Sequence, residues 1–64
     1  MGEVFTVREL RKMLTDDGWR QVAQAGSHCH FRHPIKDGKV TIPLHNKDVK
    51  KGTANSILKQ AGLK

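Results

Sequence analysis

Two helix stops of identical spacing bracket this chain and constrain everything between them. Leu14, Gly18 and Trp19 recur as Leu58, Gly62 and Leu63: an apolar residue, a glycine four positions on, and a second apolar residue directly after it. Glycine adopts the left-handed backbone that ends a helix, and the next residue then folds back onto the last turn. Each stop closes an amphipathic run. In the first, Val7, Leu10, Met13 and Leu14 form the apolar stripe. Thr6 is the expected N-cap, Glu9 completes a capping box, and Phe5 and Leu10 occupy the two positions of a hydrophobic staple. In the second run Ala54, Ile57, Leu58 and Ala61 form the stripe, and Asp48 is the expected N-cap.

The segment between the helices reads as three antiparallel strands. Residues 20–25 make the first and 29–34 the second, with Gly26-Ser27-His28 at the turn. Asp37-Gly38 signals a hairpin into residues 39–44, where Val40, Ile42 and Leu44 alternate with Lys39, Thr41 and Pro43. One face of that strand is therefore core and the other wet. In the second strand Cys29 and Phe31 share the core parity, so His28, His30 and Arg32 fall on the exposed face. The order α-β-β-β-α predicts an α+β two-layer sandwich, two helices on one face of a three-stranded antiparallel sheet. That is the topology of the double-stranded-RNA-binding domain, which by itself assigns no function.

Size and charge narrow the setting. The 64 residues are expected to form a single domain, 1–64, stabilised by only a few kcal/mol. A single cysteine, Cys29, excludes an intramolecular disulfide and suits a reducing cytoplasm. No apolar run approaches the roughly 20 residues of a membrane span, and the start lacks signal-peptide architecture, so a cytoplasmic location without membrane attachment is expected. Met1-Gly2 with Thr6 formally fits a myristoylation motif, but Thr6 serves better as the helix cap. Twelve Lys and Arg against six Asp and Glu leave a net charge of +6, which favours a polyanionic partner, nucleic acid or an acidic protein surface.

Three of the four histidines lie between Gln24 and Pro34. Imidazole titrates near neutrality, so a histidine at an exposed strand entrance can exchange protons with a ligand. For His28 the alternative is a residue that merely caps a turn. His30 shares its face about 7 Å along the strand, where it either complements His28 or is simply solvated. His33, on the core parity before Pro34, is expected to be partly buried and structural. His45 either approaches the site or caps the end of the third strand. Ser27 donates to a phosphate or shapes the turn, and Cys29 is a small core residue. Zinc is the rival reading of His28, Cys29, His30 and His33. Cys29 points the other way, however, and no second Cys/His pair completes a tetrahedral set, so neither metal nor other cofactor is expected.

Five landmarks stand in order over roughly residues 6 to 63. They are Asp17-Gly18-Trp19, Gly26-Ser27-His28 with Phe31, Ile42-Pro43-Leu44-His45, Lys51-Gly52-Thr53, and Ile57-Leu58-Lys59-Gln60-Ala61-Gly62. In these the chain resembles HicA, the small toxins of bacterial and archaeal toxin–antitoxin pairs. The resemblance implies a double-stranded-RNA-binding-like fold, ribosome-independent cleavage of mRNA, and silencing by a HicB antitoxin. It also implies that His28, in the position of the family's Gly-Ser-His motif, is the catalytic histidine. Met1 to Phe5 lie outside the resemblance.

Chemistry agrees with that implication. Metal-independent RNA cleavage needs a base at the 2′-hydroxyl, an acid at the departing 5′-oxygen, and positive charge at the phosphate. Imidazole can do the first or second, typically contributing about 10²–10⁴-fold, and Lys or Arg the third. Ser27, His30, Arg32, Lys47, Lys50 and Lys51 are the expected RNA contacts, with Arg32 or a nearby lysine stabilising charge on the cleaved phosphate. Lys47, Lys50 and Lys51 gather at the start of the second helix, either as a solvated charge run or as phosphate ligands alongside the helix N–H groups. Gly52 in the first turn admits close approach of an RNA backbone or of the sheet. The expected partners are mRNA and a HicB-like antitoxin that covers the His28 face with acidic groups. A non-catalytic RNA-binding module on the same fold is the alternative, and a protein-interaction domain a further one.

Overall fold

A computed structural model describes residues 5–44 and 47–64, so the expectations for His45 and for the Met1-Gly2 motif lie outside the described residues. The elements run β1 (Phe5–Thr6), α1 (Val7–Asp16), β2 (Arg20–Ala25), β3 (His28–Arg32), β4 (Lys39–Pro43), β5 (Asp48–Val49) and α2 (Lys51–Gln60). The expected α+β architecture is the one observed: β2, β3 and β4 form an antiparallel sheet in that order. Leu10 and Leu14 of α1 and Ala54, Ile57 and Leu58 of α2 share one core with Cys29, Phe31, Val40 and Ile42 of the sheet. Both helices thus cover the same sheet face. Met13, on the expected stripe, is 36% exposed, so the buried stripe of α1 narrows to Leu10 and Leu14.

Local chemistry sets the helix ends. The Glu9 N–H donates to Thr6 Oγ1 (3.0 Å) and the Thr6 N–H donates to Glu9 Oε1 (2.8 Å), the two bonds of a capping box. At the far end Gly18 sits at φ +108°, and the Trp19 N–H reaches back to the Leu14 carbonyl at 2.9 Å. The Leu63 N–H repeats this on the Leu58 carbonyl at 2.8 Å. These are the two stops read from the spacing.

The start of α2 differs from expectation. Asp48 is not its N-cap. It lies in β5, paired with Thr6, while Val49 pairs with Phe5. The Val7 N–H also donates to the Lys47 carbonyl at 2.8 Å, so the entrances of the two helices are tied together. Lys50 becomes the N-cap, with no side-chain capping bond. A ladder of two pairs has no periodicity to announce it.

The second strand also begins and ends earlier than the 29–34 reading. His28 opens it, because the turn needs only Gly26 and Ser27. It ends at Arg32 because His33 leaves the ladder for another task. The His33 Nε2–H donates to the Asp17 carbonyl (2.8 Å), and Nδ1 accepts from the Ile35 and Lys36 N–H groups (3.0 Å each). Two donors at Nδ1 require that nitrogen to be bare, which places the proton on Nε2. The ring meets Trp19 edge-on, centroids 5.3 Å apart. His33 is structural, as its parity suggested. A Cβ at Gly18 would stand 2.8 Å from His33 Nε2, so glycine is required there both for φ and for space.

Lys36 completes this joint. Its Nζ bonds the Asp17 carboxylate and the Ala61 carbonyl (2.9 Å), linking the end of α1 to the end of α2. The Lys36 hydrogen bond holds the Asp17 carboxyl below its ordinary value of 3.8; partial burial opposes it, and the Lys36 charge and the Trp19 N–H add to it. A depressed carboxylate stabilises the fold above its unfolded value and loses that contribution as pH falls through its folded value. Asp17→Asn is therefore expected to lower the melting temperature at pH 7. The difference should shrink as the wild type is acidified below about pH 4, the ordinary aspartate range. Paired thermal melts across pH check this, and a gap that stays constant would locate the stabilisation elsewhere.

Candidate functional site

The sheet face turned away from the helices is open, and strand register sorts its residues into three cross-strand rows. Arg20, Arg32 and Lys39 form the first, Ala23, His30 and Thr41 the second, and Ala25, His28 and Pro43 the third. Directly opposed residues of neighbouring strands project from the same face. His28, Arg32, Arg20 and Lys39 are exposed, and His30 is half-buried.

A β-bulge decides what flanks the histidines. Gln21 opposes Phe31, Ala23 opposes His30, and the register slips at Val22 between them. Unbroken alternation would put Ala23 and Ala25 on the same face as Gln21, over the helices. The extra residue rephases the strand. Ala23 and Ala25 therefore join the open face, beside His30 and His28. Gln21 stays on the helix side, where its Oε1 accepts from Arg11 Nη2 (3.2 Å). His28 thus has only alanine and proline as row neighbours, so the row is low on both sides of the imidazole.

Ser27 follows Gly26 in the turn that delivers His28, and its carbonyl accepts from the Leu44 N–H at 2.6 Å. This bond ties the turn to the exit of β4. His30 Nδ1 lies 2.9 Å from Thr41 Oγ1, a hydrogen bond that sets the ring's orientation. Arg32 is not beside His28. Four residues along a strand span about 13 Å, so the two stand at opposite ends of the face. Burial raises the Cys29 thiol, with Arg11 pulling weakly the other way, and the side chain is 1% exposed. Cys29 is core, as expected. Among the described residues no group of three or more His, Cys, Asp or Glu could hold a metal ion.

The three lysines divide. Lys50 caps α2 and Lys51 is its first residue, both exposed, with no acidic residue in the first turn. Lys47 instead lines a shallow hollow with Thr6, Val7, Arg8 and Arg11 at the start of α1. A Cβ on Gly52 would meet nothing within 4 Å, so packing against the sheet does not explain that glycine. Sequence reasoning missed Arg20 and Lys39 as companions of Arg32. Lys39 carries a signal in its wet parity, whereas Arg20 joins the row only through pairing. No helix among the described residues is long and apolar enough to cross a membrane.

The family model described as the HicA toxin of bacterial toxin–antitoxin systems matches residues 7–63. No curated protein matches the chain.

Proposed function

Because the chain belongs to the HicA toxin family, and so to a class that works opposite an antitoxin, we propose that it is an endoribonuclease cleaving mRNA with His28 as the catalytic histidine. The observation that carries this reading is the setting of His28. It is exposed on the open sheet face, delivered by a Gly26-Ser27 turn, and flanked by Ala25 and Pro43 where a ribose-phosphate can approach.

The 2′-hydroxyl of the RNA is the nucleophile. Its oxygen bonds to phosphorus, the P–O5′ bond breaks, and the products are a 2′,3′-cyclic phosphate and a 5′-hydroxyl. His28 either takes the 2′-hydroxyl proton or supplies the proton that O5′ gains. Ser27 and His30 contact the strand beside it, and Arg32 holds a more distant phosphate. Lys47, Lys50 and Lys51 add attraction for the backbone, the last two together with the uncapped N–H groups of α2. A HicB-like antitoxin bearing carboxylates would silence the enzyme by covering the His28 face, for which a net charge of +6 is well suited.

Fragment chemistry tests the mechanism. Digestion of a long RNA is expected to proceed in EDTA, to spare DNA of the same sequence, and to leave 5′-hydroxyl ends detectable by mass spectrometry. Fragments with 5′-phosphate ends would instead require an activated water as nucleophile and would overturn the mechanism. An RNA that is shifted on a gel but stays intact would favour the non-catalytic binding module.

A further inference from the structure

Arg20, Arg32 and Lys39 stand side by side across three strands, at the opposite end of the open face from His28. Like charges directly opposed across strands destabilise a sheet. None of the three has an acidic partner among the described residues. Ion pairs among the described residues include Lys12–Asp16 and those around Asp17, away from this row. Three exposed cations in one row offer an anion several charged donors at once.

Resting on the reading of His28 as the cleavage site, we propose that this cationic row is a phosphate subsite for single-stranded RNA, two nucleotides away from the cleaved bond. The spacing supports it. Rows repeat about every 7 Å along the strands, on the scale of successive phosphates in an extended strand. A phosphate over His28 and the next over His30 bring the third to Arg20, Arg32 and Lys39. Between the ends, Ala23 and Ala25 keep one flank of the path low, where longer side chains would obstruct a ribose. A track of positive charge following the backbone without reading bases is the usual way single strands are held. An acidic protein would also be attracted by the charge, but it has no reason to match the row repeat.

The test uses oligoribonucleotides of two, three and four residues with the intact protein. Wild-type kcat/KM is expected to rise by roughly tenfold or more once the substrate reaches the cationic row, mainly through KM, as charge-assisted contacts imply. The Arg20→Gln/Lys39→Gln double variant should bring the ratio of long to short substrate toward one. Its melting temperature should equal or exceed that of wild type, since like-charge repulsion is removed. Affinities for 2′-O-methyl oligonucleotides of the same lengths, read by fluorescence anisotropy, separate this subsite from the catalytic reading. Length-dependent binding that needs Arg20 and Lys39, without cleavage of any RNA, would retire the nuclease and keep the subsite. Cleavage with no length dependence, or a double variant that keeps it, overturns the subsite while leaving His28 untouched. A variant that binds RNA normally but loses an acidic protein partner would assign the row to that partner instead.

Discussion

RNA cleavage is expected to fall at least about 100-fold in His28→Ala, the range lost when a positioned acid or base is removed. Growth inhibition on expression should disappear with it. The fold should not change, because His28 is exposed and is held in β3 by strand pairing with Ala25 and Pro43. Backbone pairing with Ala25 and Pro43 survives any side-chain truncation. Circular dichroism and an unchanged melting temperature would establish that the variant is folded, and fluorogenic or gel-based cleavage would measure the loss. A folded variant that cuts within a few-fold of wild type would remove His28 from the chemistry. His30→Ala is the informative companion: its ring is held by Thr41 and lies one row away, so the expected loss is smaller.

Trp19→Ala should unfold the protein. Trp19 is 1% exposed and is among the largest fully buried side chains. It stands directly after the α1 stop, in edge contact with His33. Truncating a buried Trp to Ala typically costs about 3–5 kcal/mol, comparable to the whole stability of a domain of this size. The expected result is loss of a cooperative thermal transition, with activity lost as a consequence. Trp19→Phe retains most of the buried area and removes an indole Nε1–H that is buried without a hydrogen bond of normal geometry. It should therefore remain folded. If Trp19→Ala melts cooperatively near the wild-type temperature, the joint formed by Trp19, His33, Gly18 and Lys36 is not what holds the helix ends to the sheet.

The two variants separate the face proposed to carry the chemistry from the face that folds. Cys29 and Phe31 point into the core while His28, His30 and Arg32 point out, on one strand of five residues.

What the sequence determined by itself is whatever local chemistry controls. The capping box at Thr6 and Glu9, the stops at Gly18 and Gly62, and the inward parity of Cys29, Phe31, Val40 and Ile42 all involve residues within a few positions of one another. The physics is correspondingly short-ranged: a cap bond, a positive φ, a two-residue pleat. The α+β architecture follows from those elements because each has a single apolar face to bury. The resemblance to HicA was legible for the same reason, its landmarks being turns and core positions of these elements. Tertiary structure alone decided the rest. Asp48 looks like an N-cap until Thr6, forty-two positions earlier, takes it into a strand. Ala23 and Ala25 share Gln21's parity until the bulge at Val22 moves them to the open face. Arg20, Arg32 and Lys39 have no common motif and meet only because β2, β3 and β4 pair in one register. Register and bulges are settled by contacts between distant segments, and a charge cluster assembled in this way leaves no pattern along the chain.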